Sequence, residues 1–181
     1  MAAADLNALL RKAKLRSPYV LVAHSIGGLV DREYARRYAK NVAGMVLLDT
    51  APDDWDLYTG TRTFTWGHES LNVVAASAAL RARDSLAAKP VVVVESGNPS
   101  EVEAWANGKR DFQAYWDSAQ RALARISSNS IFAVAKSINH EIPVNAPGLS
   151  DAAMRLVVDA VRKHATLPSC ASSTLPKKGG V

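Results

Sequence analysis

Short runs of consecutive apolar residues alternate along the chain with longer stretches in which apolar residues return every three or four positions. The runs fall at residues 19–23, 44–48, 90–94 and 131–135. Runs of this length, bounded by turn-forming residues, fit strands buried on both faces, as a parallel sheet requires. Ahead of the first run, Leu6, Leu9, Leu10 and Ala13 keep helical spacing until Ser17-Pro18 ends the helix, and residues 27–40 predict a second helix. Phe112, Tyr115, Trp116, Ala119, Leu123 and Ile126 mark a helix between the third and fourth strands. Ala153, Leu156, Val157, Ala160 and Val161 mark another after the fourth. Such alternation predicts an α/β fold: a mostly parallel sheet flanked by helices and joined by right-handed crossovers. Only residues 53–89 interrupt it. They hold Trp55, Tyr58, Phe64 and Trp66 ahead of an alanine-rich helix, and read as a small helical insertion capping the sheet. One domain over residues 1–165 is expected, followed by a disordered tail over 166–181 rich in Ser, Pro, Lys and Gly.

Composition changes this picture little. A chain of 181 residues, 48% hydrophobic and 22% charged, buries one core of ordinary size. Its apolar runs fall far short of the roughly 20 residues that cross a bilayer. Met1-Ala2-Ala3-Ala4-Asp5 has neither the basic start nor the apolar core of a secretory leader, so a cytoplasmic location is expected. The net charge of +5 is local: residues 1–40 hold eight Lys/Arg against three Asp/Glu, and the rest of the chain balances. Arg11, Lys12, Lys14, Arg32, Arg36, Arg37 and Lys40 sit on the polar faces of two amphipathic helices, which reads as a solvated face and not a nucleic-acid surface. The single cysteine, Cys170, lies in the tail and has no internal disulfide partner. His, Cys and Asp nowhere take up ligand spacing, and Gly27-Gly28 lacks the lysine of a phosphate-binding loop. No metal or other cofactor is expected.

The chemistry is concentrated where the first strand meets the second helix. Ala23-His24-Ser25-Ile26-Gly27-Gly28 approximates the Gly-x-Ser-x-Gly nucleophile elbow. A serine on a tight strand-to-helix turn needs small residues two positions to either side, so that the backbones approach and the hydroxyl projects. Ala23 and Gly27 meet that need. The helix starting there aims backbone N–H groups and its positive end at a developing oxyanion, with Ile26 as one donor.

Through PYVLVAHSIGGLV, VAGMVLLDTAPDDWD and INHEIPVNAP the chain resembles the α/β-hydrolase superfamily, in particular small serine esterase-like members. The resemblance covers nearly all of residues 5–165, with Ala23 in place of the usual glycine. It implies the chain order serine, acid, histidine, with the base on the loop after the last strand. His140 alone has that place; His24 is on the turn, His68 in the insertion and His164 at the end of the last helix. For the acid, two strand ends compete. Asp49 ends the second strand and is favoured, Glu95 ends the third, and Asp53 and Asp54 remain open. Trp55 and Tyr58 are candidates to receive an apolar acyl or aryl group.

Members of this superfamily usually begin with about four further strands, and a loop after an early one carries a second oxyanion donor. The resemblance therefore spans the C-terminal portion of the fold, and implies that the front half is missing. The strand bearing Ser25 then lies at a sheet edge, open to pairing with a second copy of the chain. Two readings follow. The first is a serine hydrolase of carboxylic esters acting through an acyl-enzyme, impaired by the missing donor. The second is a non-catalytic interaction or dimerisation module.

Overall fold

A computed structural model of the chain describes residues 2–82, 86–98 and 111–168. In chain order the elements are α1 (Ala2–Lys12), β1 (Tyr19–His24), α2 (Gly27–Arg37), β2 (Val42–Leu48), α3 (Trp55–Thr59), β3 (Thr63–Trp66), β4 (Glu69–Asn72), α4 (Val73–Ala82), β5 (Val91–Ser96), α5 (Phe112–Ala124), β6 (Ser130–Ala135), α6 (Ile142–Asn145) and α7 (Pro147–Lys163). β1, β2, β5 and β6 pair in that order, all parallel.

The alternation of side chains along these strands divides the core in two. Met45 and Leu47 of β2 and Val91 and Val93 of β5 turn to one face, where Ala3, Tyr34, Ala35 and Leu123 of α1, α2 and α5 cover them. Val46, Leu48, Val92 and Val94 turn to the other, under Ala153, Val157 and Ala160 of α7. Helices on both faces explain why β2 and β5 read as unbroken apolar runs: all four valines of β5 are fully buried. Gly44 lets α7 come close, since a Cβ there would meet Val157 Cγ1 at 2.6 Å. The mostly parallel, helix-flanked sheet expected from the sequence is thus present. β1 forms one edge of it, with Val22 44% exposed. No helix among the described residues is long and apolar enough to cross a membrane.

Four details differ from the sequence reading. The insertion is not purely helical: β3 and β4 form an antiparallel hairpin around Gly67-His68, with Gly67 at φ 58°. Only Phe64 and Leu71, paired across the hairpin, are half-buried, so its apolar signal is too thin to read from sequence. The second helix stops at Arg37, and a 3-10 turn at Ala39–Asn41 leads into β2. Arg32 is not on a solvated face; it is 1% exposed, with Nη1 donating to the Ala51 carbonyl at 3.4 Å and Nη2 3.7 Å from Asp53. Leu167, placed in the tail by composition, is buried against the α7 side of the sheet, and its N–H donates to Asn129 Oδ1 at 2.8 Å. Residues 169–181, Cys170 among them, lie outside the described residues.

Candidate active site

Three loops converge at the C-terminal ends of the parallel strands, the usual place for a site in an open α/β sheet. Ser25 follows β1 directly with φ 54°, a left-handed conformation that costs a non-glycine residue about 1–3 kcal/mol and persists only where its surroundings fix it. They do so from two sides. Its N–H donates to the Leu48 carbonyl at 3.2 Å, and its own carbonyl accepts from Gly28 at 3.1 Å and Ala51 at 3.0 Å. Asp49 sits one residue past β2 in the same unusual conformation, φ 47°, with its N–H donating to Val94 at 2.7 Å. The neighbouring strand thus holds each turn.

His140 lies on the loop between β6 and α6 and is 2% exposed. Its Nδ1–H donates to Asp49 Oδ2 at 2.7 Å, and its Nε2 accepts from the Ser25 hydroxyl at 2.8 Å. The Asp49 carboxylate is fully buried, and its other oxygen accepts the Ser96 N–H and the Trp116 Nε1–H, each at 2.8 Å. A buried carboxylate that accepts from three donors is fixed in direction, and in that direction it takes the Nδ1–H of the histidine. The elements therefore bring Ser25, His140 and Asp49 into one line of hydrogen bonds, although they are far apart in sequence.

The competing acids are otherwise engaged. Glu95 is 1% exposed, and burial, together with its hydrogen bond to Asp117, pushes its carboxyl up to about 8. Asp54 accepts from the Tyr115 hydroxyl at 2.8 Å, and Asp53 faces Arg32.

A cavity of about 140 Å³ opens beside the serine, lined by Ser25, Ile26, Ala51, Trp55, Thr61, Phe64, Trp116 and His140. Trp55 is in its wall. Tyr58 is not: it stacks on Tyr115 at 3.6 Å with the rings nearly parallel, and so packs the insertion against α5. Ile26 precedes the first turn of α2 and lines the cavity. The close approach expected at Gly27 falls one residue later. A Cβ on Gly27 would meet nothing within 4 Å, whereas one on Gly28 would meet Thr50 Cβ at 2.4 Å.

Residues 1–140 match the family described as the alpha/beta hydrolase fold. The chain belongs to that family. As an α/β-hydrolase it is similar to the uncharacterized protein YqjL of Bacillus subtilis, 26% identical over 153 residues, which are 79% of this chain and 58% of that protein. The chain thus spans little more than half the length of this relative. Its backbone resembles a thermophilic esterase from Thermogutta terrifontis, with a TM-score of 0.55 at 20% identity over 88% of this chain and 71% of that one. A monoacylglycerol lipase from Paleococcus ferrophilus gives 0.56 at 13% identity over 91% and 75%. Identities this low carry the shared fold and no more.

Two residues of this hydrolase-fold site went unread in the sequence. Trp116 looked like core at helical spacing; a buried indole N–H needs an acceptor, and that was its signal. His24, adjacent to the serine, donates from Nε2 to the His140 carbonyl at 2.8 Å, its ring 4.6 Å from that of His140. His24, His140 and Glu141 each bring a potential ligand atom within 4.8 Å of the others, a cluster that sequence spacing hides. Both His140 nitrogens and His24 Nε2 are engaged in the bonds already described.

Proposed function

We propose that the chain is a serine hydrolase of carboxylic esters, with Ser25 as nucleophile, His140 as general base and Asp49 as the acid. The observation that carries this reading is the continuous bond line from Ser25 Oγ through both nitrogens of His140 to a buried carboxylate. As Oγ attacks the ester carbonyl carbon, His140 Nε2 takes the hydroxyl proton, and Asp49 stabilises the imidazolium formed. The tetrahedral oxyanion faces the Ile26 N–H at the start of α2. Collapse breaks the bond to the alkoxy group, which leaves with the proton from His140 as an alcohol, and Ser25 carries the acyl group. Water then attacks with His140 again accepting a proton, and the carboxylic acid departs as Ser25 regains its own. The apolar wall of Trp55, Phe64 and Trp116 suits an uncharged acyl or aryl group.

Hydrolysis of a short-chain p-nitrophenyl ester tests the reading. The wild type is expected to turn over, while Ser25→Ala and His140→Ala each lose roughly a thousandfold or more. Turnover by Ser25→Ala equal to the wild type overturns it.

The outer edge of β1, which pairs with no strand among the described residues and has Val22 exposed, favours a second reading: a non-catalytic module whose edge pairs with another copy. A folded wild type that hydrolyses no ester yet dimerises is the outcome that reading predicts.

A further inference from the structure

Asp49 can serve His140 only if its carboxylate plane is held, because either oxygen of a freely turning carboxylate accepts equally well. Oδ2 receives His140, so the direction of that bond is set by whatever grips Oδ1. Two donors do: the backbone N–H of Ser96 and the indole of Trp116, both at 2.8 Å. We propose that Trp116 is a positioning residue for the proposed reaction, its indole N–H locking Asp49 Oδ1 so that Oδ2 faces His140. This rests on the reading of Ser25, His140 and Asp49 as a catalytic relay.

The surroundings of Trp116 fit that role. The residue is 1% exposed, and its ring is wedged between Trp55 of α3, centroids 5.6 Å apart at 73°, and Phe112 one turn earlier on α5, 5.6 Å apart at 23°. The indole edge therefore has little freedom to swing away from Asp49. An indole donates and never accepts, so it cannot compete for the proton that His140 shares with the carboxylate, as an amide or hydroxyl in its place would. The same ring lines the cavity beside Ser25 and His140. An acyl group seated there presses on the residue whose edge holds the acid, which couples occupancy of the cavity to the geometry of the relay.

Trp116→Phe keeps an aromatic wall and removes the N–H. Phe112→Leu perturbs the same packed cluster and leaves that bond in place. Two readouts on the intact chain separate the roles: the rate at which Ser25 reacts with a fluorophosphonate, and the downfield proton resonance of His140 Nδ1–H. Trp116→Phe is expected to slow labelling roughly tenfold to a hundredfold, as loss of a hydrogen bond to a buried charge implies, and to shift or broaden the resonance. Phe112→Leu is expected to label within a factor of about two of the wild type and to keep the resonance. Labelling and resonance unchanged in Trp116→Phe overturn the proposal, as does an equal loss in Phe112→Leu, which assigns the effect to packing. A folded wild type that does not label defeats the hydrolase reading instead. The resonance in the two variants still reports then whether Trp116 holds the Asp49–His140 pair, and an unchanged signal in Trp116→Phe rejects it.

Discussion

At the scale of single residues, the two carboxyl groups at the strand ends have opposite fates because their donors differ. Asp49 faces three N–H groups, while Glu95 faces a second carboxylate, Asp117, and its Oε2 meets no hydrogen-bond partner among the described residues. Glu95 therefore keeps its proton up to about pH 8, whereas in the unfolded chain it ionises above its ordinary value of 4.5. A raised folded value means stability that is complete below pH 4.5 and is lost as pH rises through 8. Glu95→Gln retains a donor for Asp117 and has no proton to lose. It is expected to gain roughly 1–3 kcal/mol over the wild type at pH 8 and little at pH 4, or about 2–4 °C in melting temperature per kcal/mol. Melting curves across that range check it; parallel pH slopes in the two proteins count against the account. Sequence order favours Asp49 but leaves Glu95 open, because both stand at strand ends and it is partners from α5, Trp116 for Asp49 and Asp117 for Glu95, that distinguish their surroundings. Tyr58 went the other way. An aromatic residue in an insertion was a fair candidate for the pocket, but its stacking on Tyr115 depends on a contact across more than fifty residues.

At the scale of elements, the turn from β1 into α2 is built by crowding on one side only. Gly28 faces Thr50, itself fully buried, and a Cβ there would come within 2.4 Å of its Cβ. Gly28→Ala is expected to destabilise the fold by about 1–3 kcal/mol, since the fully buried Thr50 side chain would have to give way to the new methyl. Gly27→Ala, with open space around the new methyl, is expected to be neutral or to gain up to about 1 kcal/mol from helix propensity. Denaturant unfolding of the pair decides this, and an equal cost at both positions contradicts the packing. The strands and long helices were legible because burial on both faces and helical periodicity each leave a strong imprint. The β3–β4 hairpin was not, since a short exposed ribbon with one half-buried pair leaves almost none.

At the scale of the whole molecule, Ser25 and Asp49 follow the neighbouring strands β1 and β2, and His140 follows β6 two strands beyond β2, all at one end of the parallel sheet although 115 residues separate the first from the last. That convergence is a property of parallel topology: every crossover carries the chain back to begin a strand of the same direction, so all four strands finish at the same end of the sheet. The alternation of strand and helix made the topology readable, and with it the meeting point. The insertion that roofs the cavity contributes Trp55 and Phe64, and α5 contributes Trp116, so the site is a joint product of the sheet, the cap and one helix. In the proposed reaction, this convergence is what activates Ser25. The measurement that tests it most directly is mass mapping of the adduct after reaction of the folded chain with a fluorophosphonate. The account predicts a single adduct on Ser25 that is lost in His140→Ala; an adduct elsewhere, or one on Ser25 that persists undiminished without His140, contradicts it.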